Sequence, residues 1–250
     1  MIVRICRFTL FFPYKQNIRE KLFELEKSFT DFQTPFTLVP LPADAPPEIP
    51  RIVAKTPHGH STLLVNGNSI QLEIRYDANY NNDVTKCIEY MRERCRSVVS
   101  AIHILTDETE SRSIYYAGIS SDLVFDVGDG INDPVLYLND KFLKCSTNLP
   151  VTESNLRMAM VLYDKYYVNV MLQVEQSFEG QPDERGSLAR LKKANSKLIA
   201  SLDINDRYAF NTIDNYYSSV ENIEKIADII ETLANGKIQE FVEKGELVYE

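Results

Sequence analysis

The chain has 250 residues, 44% of them hydrophobic and 25% charged, with a net charge of −9. That balance supports the core of one large domain or two small ones and excludes wholesale disorder. The charge is uneven: residues 1–107 carry 13 Lys+Arg against 12 Asp+Glu, residues 108–250 carry 14 against 24, and an acidic second half disfavours broad contact with a nucleic-acid backbone while favouring solubility or a basic partner.

The opening stretch MIVRICRFTLFFPYK is apolar but holds Arg4 and Arg7, so it reads as a strand over 2–12 ended by Pro13, not as a secretory signal. No apolar run approaches the roughly 18 residues of a membrane helix. Ile18, Leu22, Leu25 and Phe29 recur at helical spacing and predict a helix over 15–29. The segment PLPADAPPEIP (40–50) holds five of the eleven prolines, which makes it extended and stiff. It is either a rigid crossing loop or a docking strip for an aromatic groove, with Pro46 and Pro47 at its centre. A short strand over 51–56 follows. Strands 61–65 and 69–77 then flank Asn66-Gly67, a strong hairpin signal. On the return strand Ile70, Leu72, Ile74 and Tyr76 alternate with Gln71, Glu73, Arg75 and Asp77, so one face is buried and the other polar.

Asn82 or Asp83 caps a long helix whose stripe runs from Val84 through Cys87, Met91 and Cys95 to Ile102. After the polar break LTDETESR (105–112), SIYYAGISSDLVFDV (113–127) reads as a strand bent near Ser120-Ser121. Asp133-Pro134 starts a short helix reaching about Lys144. Alternation over 156–162 and 168–174, across a turn at Asp164-Lys165, predicts a second hairpin. The polar loop EGQPDERGS (179–187) leads to a strand over 198–204. Ile213, Tyr216, Val220, Ile223, Ala227, Ile230 and Ala234 then form the stripe of a closing helix, broken near Asn235-Gly236. The four cysteines, Cys6, Cys87, Cys95 and Cys145, form no CxxC pair and read as small buried hydrophobes in a reducing cytoplasm.

The predicted fold class is therefore α+β. Two similar strand-helix-three-strand-helix halves, 1–107 and 108–250, form one antiparallel sheet packed by the long helices and act as one integrated domain. This order, the Pro-Pro stretch before the hairpin, and SKLIASLDINDRYAF (196–210) leading into a terminal helix resemble a sporadically distributed bacterial family of uncharacterised α+β proteins from mobile or defence-type loci. That family has a D-x-D element before a final amphipathic helix ending near a Phe. Asp203, Asn205 and Asp206, then Phe241, match it here, with Asn205 departing from the pattern. The resemblance implies a partner-dependent role and no established catalytic residues.

Candidate chemistry is sparse. His58 and His60 are spaced H-x-H, which on a strand puts both on one face. With Asp77 or Glu73 as third ligand they would make a metal site, but Pro57 and Gly59 favour a turn feeding strand 61–65. DVGDGIND (126–133) fails the calcium-loop pattern and reads as a turn ending in the Asp133 cap. Asp203 and Asn205 share a strand face with Asp206 opposite. Carboxylates so placed hold magnesium in nucleases, given Glu175 and Lys197 in register. Arg92 and Arg96 share the polar face of the long helix beside Glu89 and Glu93, and Arg190, Lys192, Lys193 and Lys197 form a second basic run; either group is a salt-bridged surface or a contact for phosphate or an acidic partner. The pairs Tyr115-Tyr116, Tyr166-Tyr167 and Tyr216-Tyr217 place one ring of each pair outward, as protein interfaces use. Phosphate-loop, dinucleotide, zinc-protease and nucleophile-elbow motifs are absent.

The expected function is that of a non-enzymatic, cytoplasmic protein-interaction subunit without cofactor. It would be an accessory or neutralising partner in a bacterial phage-defence or toxin–antitoxin-like system, meeting its partner through Pro46, Pro47, Tyr115, Tyr166 and Tyr216. The alternatives are a metal-dependent nuclease or phosphohydrolase using Asp203, Asn205 or Asp206, and a small-ligand sensor.

Overall fold

The structure is a computed structural model that describes residues 1–42, 45–106, 113–125, 133–144, 146–180 and 192–249, with the backbone alone at 192. Residues 126–132 of the DVGDGIND stretch, Cys145 and Arg190 lie outside the described residues, as do most of the polar segments 105–112 and 179–187.

Among the described residues, nine strands form one antiparallel sheet. They are β1 (Ile2–Phe11), β2 (Thr37–Leu38), β3 (Ile52–Lys55), β4 (Ser61–Val65), β5 (Ser69–Arg75), β6 (Tyr116–Phe125), β7 (Asn155–Leu162), β8 (Tyr166–Glu179) and β9 (Lys192–Asn205), in the spatial order β2-β3-β4-β5-β1-β6-β9-β8-β7. Strands from before residue 107 make one side and strands from after it the other, joined where β1 pairs with β6. The helices are α1 (Leu22–Ser28), α2 (Val84–Ser100), α3 (Ile102–Leu105), α4 (Pro134–Leu138), α5 (Arg207–Thr212), α6 (Val220–Thr232) and α7 (Ile238–Lys244). None among the described residues is long and apolar enough to cross a membrane.

Strand alternation decides which face is covered. Cys6, Phe8 and Leu10 on β1, Ile70, Leu72 and Ile74 on β5, Ile119 on β6 and Leu202 and Ile204 on β9 are buried in a continuous core. Onto that face pack α2, through Cys87, Ile88, Met91, Cys95 and Val98, and α6, through Ile223, Ile226, Ala227, Ile229 and Ile230. Burial of such side chains is the main stabilising term, about 25 cal/mol per Å² of apolar surface removed from water. Asp83 caps α2 by accepting the Lys86 amide at 3.1 Å, and Asp133 caps α4 by accepting the Val135 amide at 2.9 Å.

The two long helices are tied by charge. The Arg92 guanidinium on α2 donates to Glu224 at 3.1 Å, Asp228 at 2.7 Å and Glu231 at 2.8 Å, all on α6, and Arg96 donates to Glu224 at 2.6 Å. The α2 arginines are thus engaged within the molecule, and Arg94 pairs with Asp31. The opposite, polar face carries its own network. Arg7 meets Glu73 at 3.0 Å, and Arg4 reaches Glu175 at 2.6 Å and Asp122 at 3.4 Å.

Several local expectations are corrected. The predicted helix over 15–29 is a 3-10 turn (Ile18–Lys21) followed by the short α1, with Ile18, Leu25 and Phe29 buried and Phe23 exposed. Strands β4 and β5 pair as expected, with Val65 opposite Ile70, and Asn66 donates its amide to the Ser69 carbonyl at 2.8 Å. Gly67 is not in the left-handed backbone region that an Asn-Gly turn of the primed kind needs. It serves by lacking a side chain, since a Cβ there would lie 2.9 Å from the Tyr14 ring and 3.2 Å from Pro47. The second hairpin turns at Tyr163-Asp164, both left-handed (φ 56° and 49°), one residue earlier than expected. Strand β6 runs without a register shift at Ser120-Ser121; the irregularity sits in β1, between Val3 and Ile5. The closing helix begins at Val220 because Ser219 caps it, accepting the Asn222 amide at 3.2 Å, so Ile213 and Val220 are exposed. Its break at Asn235-Gly236 is present, Gly236 having φ 113°.

Candidate functional site

At the end of the sheet where β1, β6 and β9 meet α5, aromatic rings gather on the surface. Phe11 stacks on Tyr116 with ring centres 4.3 Å apart, Tyr116 meets Phe210 at 5.3 Å, Phe210 meets Tyr115 at 5.4 Å, and Tyr115 meets Tyr217 at 6.3 Å. All five are partly exposed. They come from three places: the polar face of β1, the start of β6, and the α5 segment with the loop after it. Aromatic pairs at these separations add about 0.5–1.5 kcal/mol each beyond their buried area.

The Arg207 guanidinium stands 5.7 Å from the centre of the Tyr116 ring. Among the described residues no carboxylate comes within 4.0 Å of it. Beside it is a depression of about 210 Å³ lined by Arg7, Phe11, Tyr116, Gly118, Asp203 and Asn205. Gly118 is required by close strand approach, since a Cβ there would lie 2.8 Å from the Asn205 Cβ. The Asp203 carboxylate accepts from the side-chain amides of Asn169 at 3.1 Å and Asn205 at 3.2 Å.

Beneath the patch, Asp206 is fully buried. It accepts the Ala117 amide at 2.7 Å, the Tyr216 hydroxyl at 2.7 Å, and the Ser218 hydroxyl. Burial pushes its carboxyl above the ordinary value, and the three donors oppose that rise. The Asn222 side-chain amide donates to the Tyr216 oxygen at 2.9 Å, and Lys165 and Tyr166 donate to the Asn222 carbonyl oxygen at 2.6 and 3.4 Å. Desolvation also drives the Tyr216 phenol up, and the Tyr166 phenol to about 12.

The sequence-predicted residues thus fall in four places. Asp203, Asn205 and Tyr115 come together at the aromatic patch. Asp206, Tyr166 and Tyr216 form the internal network behind it, and Tyr166, only 3% exposed, offers no ring to a partner. Pro46 and Pro47 lie across the β4–β5 turn, where the Gly67 amide donates to the Pro47 carbonyl at 2.8 Å and Arg51 donates to the Ala45 and Ile49 carbonyls; the strip is held as a crossing loop. His58, His60 and Asp77 line a separate recess of about 330 Å³ with Tyr80, Tyr90 and Arg94. There the His60 Nε2 is 3.6 Å from Asp77 and the two imidazoles are 6.5 Å apart. Among the described residues no three His, Cys, Asp or Glu side chains group as a metal site requires.

Glu175 and Lys197 face each other across β8 and β9, but Asp203 lies six positions further along β9, about 20 Å at 3.3 Å per residue. These groups do not share a site. The cysteines Cys6, Cys87 and Cys95 are buried, and desolvation raises the Cys6 thiol to about 11, so they are inert hydrophobes. A recess of about 740 Å³ lies between α2 and α6, with Val99, Ile102, Ile114 and Ile223 among its lining and Arg92, Arg96, Glu221 and Glu224 as charged members.

The sequence reading missed Phe11, Phe210 and Arg207, and from the Tyr216-Tyr217 pair it chose Tyr216 for the interface where Tyr217 joins the patch. Phe11 had a usable signal, because it follows Arg7 and Thr9 on the polar parity of β1. No family model matches this chain, and no curated protein sequence matches it either.

Proposed function

We propose that the chain is a non-enzymatic protein-interaction subunit of a bacterial multi-protein system of the phage-defence or toxin–antitoxin kind, and that it docks its partner on the Phe11–Tyr115–Tyr116–Phe210–Tyr217 patch. The observation that carries this reading is the patch itself: five partly exposed rings in mutual contact beside a guanidinium with no acidic partner among the described residues. Aromatic and arginine anchors of this kind dominate binding energy at protein interfaces. Co-expression with the products of neighbouring genes, followed by co-purification and mass measurement, tests it. The wild type retains a partner, and Arg207→Glu or Tyr217→Ala weakens retention about 30-fold, the loss of a typical hot spot. A chain that retains nothing, or variants that bind as well as the wild type, would sink the reading.

The 740 Å³ recess between α2 and α6 favours a second reading, a small-ligand sensor, since ligand sites commonly occupy about 300–1,000 Å³. Val99→Trp would obstruct that recess and weaken ligand-induced thermal stabilisation while leaving partner capture intact. We further infer that the two halves are one duplicated unit. In support, β1 and β6 form the central antiparallel pair, β3-β4-β5 and β7-β8-β9 extend the sheet to either side, and α2 and α6 meet across the seam.

A further inference from the structure

The two edges of the sheet are unlike. At one edge β2 has only two residues, Thr37–Leu38, set between Pro35 and Pro40. At the other, β7 presents eight residues, NLRMAMVL, with no proline and one charge, Arg157. Among the described residues no backbone group of Asn155–Val161 is bonded to anything except β8. Natural sheets protect their edges with short strands, prolines, bulges or lysines. The β2 edge has that protection; among the described residues the β7 edge has only the Arg157 charge.

We propose that β7 is the contact through which two copies of this chain join, antiparallel and edge to edge, about a two-fold axis at Ala159. The side chains select this occupant and this register. Leu156, Met158, Met160 and Leu162 point to the helix-covered face and are half-buried against the core, while Arg157, Ala159 and Val161 stand exposed on the polar face. With Ala159 opposite Ala159 of the second copy, Leu156 faces Leu162 and Met158 faces Met160, so the apolar layer runs on unbroken from one molecule into the other. On the polar face Arg157 faces Val161, whose exposed side chain accommodates the arginine stem. The two Arg157 charges are then four positions apart, about 13 Å along the strands at 3.3 Å per residue, beyond the screening length of about 8 Å at physiological salt. The contact is isologous and closes on itself, and the two-residue β2 edge gives no second site for chain growth.

This surface is distinct from the aromatic patch, so the two readings fail separately. Light scattering on the full chain, from about 5 to 500 μM to bracket the weak affinity expected of a small interface, is expected to give twice the 28.7 kDa chain mass at the upper end. Ala159→Asp sets like charges opposite each other and weakens pairing about five-fold or more. Ala159→Cys cross-links into a covalent dimer on mild oxidation, because directly opposed strand residues have Cα atoms about 4.5–5.5 Å apart. Ala159 is exposed, and circular dichroism verifies that both variants keep the fold, while Arg207→Glu leaves the mass unchanged. A wild type that stays monomeric throughout overturns the proposal and leaves the edge to a foreign strand. A dimer indifferent to Ala159→Asp, or one that Ala159→Cys fails to cross-link, overturns it equally.

Discussion

Asp206 is a carboxylic acid whose chemistry is altered by burial. It is fully buried, and its three donors come from the start of β6 and from the loop ahead of α6. A carboxyl raised above its ordinary 3.8 favours the folded state when protonated. Its stability contribution is complete below that value and is lost as pH rises through the raised one. Asp206→Asn is therefore expected to flatten the loss of stability that urea unfolding shows as pH rises above 3.8. Asp206→Ala leaves a buried amide and two hydroxyls without their acceptor and lowers stability by at least about 2 kcal/mol in the same assay. Strand alternation put Asp206 on the face opposite Asp203 and Asn205, as the fold has it. Nothing periodic announces that residues 213–219 turn back to bring Tyr216 and Ser218 onto it, so a side chain weighed for chemistry is a structural latch.

Between elements, the α2–α6 contact rests on apolar packing with one guanidinium serving three carboxylates. The Arg92 side chain is 14% exposed, and it holds together acids that repel one another without it. The Glu224 carboxyl is held below its ordinary 4.5 by its hydrogen bond from Arg96 and, against burial, by Arg92. Here the sign is opposite to that of Asp206: the contribution is present above 4.5 and lost as pH falls through the lowered value. Arg92→Ala is expected to cost about 1–3 kcal/mol at neutral pH, and distinctly less once the acids are protonated, as measured by thermal melts at both pH values. The stripe of α2 was legible from Val84 to Ile102 because a 3.6-residue period outlasts local noise. The same sequence showed Arg92 and Arg96 only as neighbours of Glu89 and Glu93, since a one-dimensional pattern records charges along a helix and not those on the helix packed against it. Strand β2 and helix α5, two and six residues long, are too short to show a period at all.

Across the whole molecule, the seam between β1 and β6 joins everything before residue 107 to everything after it. A fragment of residues 1–107 leaves β1 as a bare edge and α2 without α6, so Phe8, Leu10 and Val98 lose much of their cover. That fragment is expected to lack slowly exchanging amides by hydrogen-exchange NMR and to regain them when 108–250 is added. The α+β class and most strands were readable from alternation, but strand order was not, because the pairing of β1 with β6 spans more than a hundred residues of sequence. The seam also holds one spare residue. Val3 faces Leu123 and Ile5 faces Asp122, so Arg4 is the extra member of β1, and it lets Arg4 and Arg7, three apart, both reach Asp122 on the polar face. Losing that single residue would make the β1–β6 ladder regular, but it would remove the carbonyl that accepts the Tyr76 amide at 3.3 Å. At the centre of the sheet, then, position 4 is a one-residue excess on the β6 side alone, held there by the Tyr76 amide on its backbone and by Asp122 and Glu175 on its side chain.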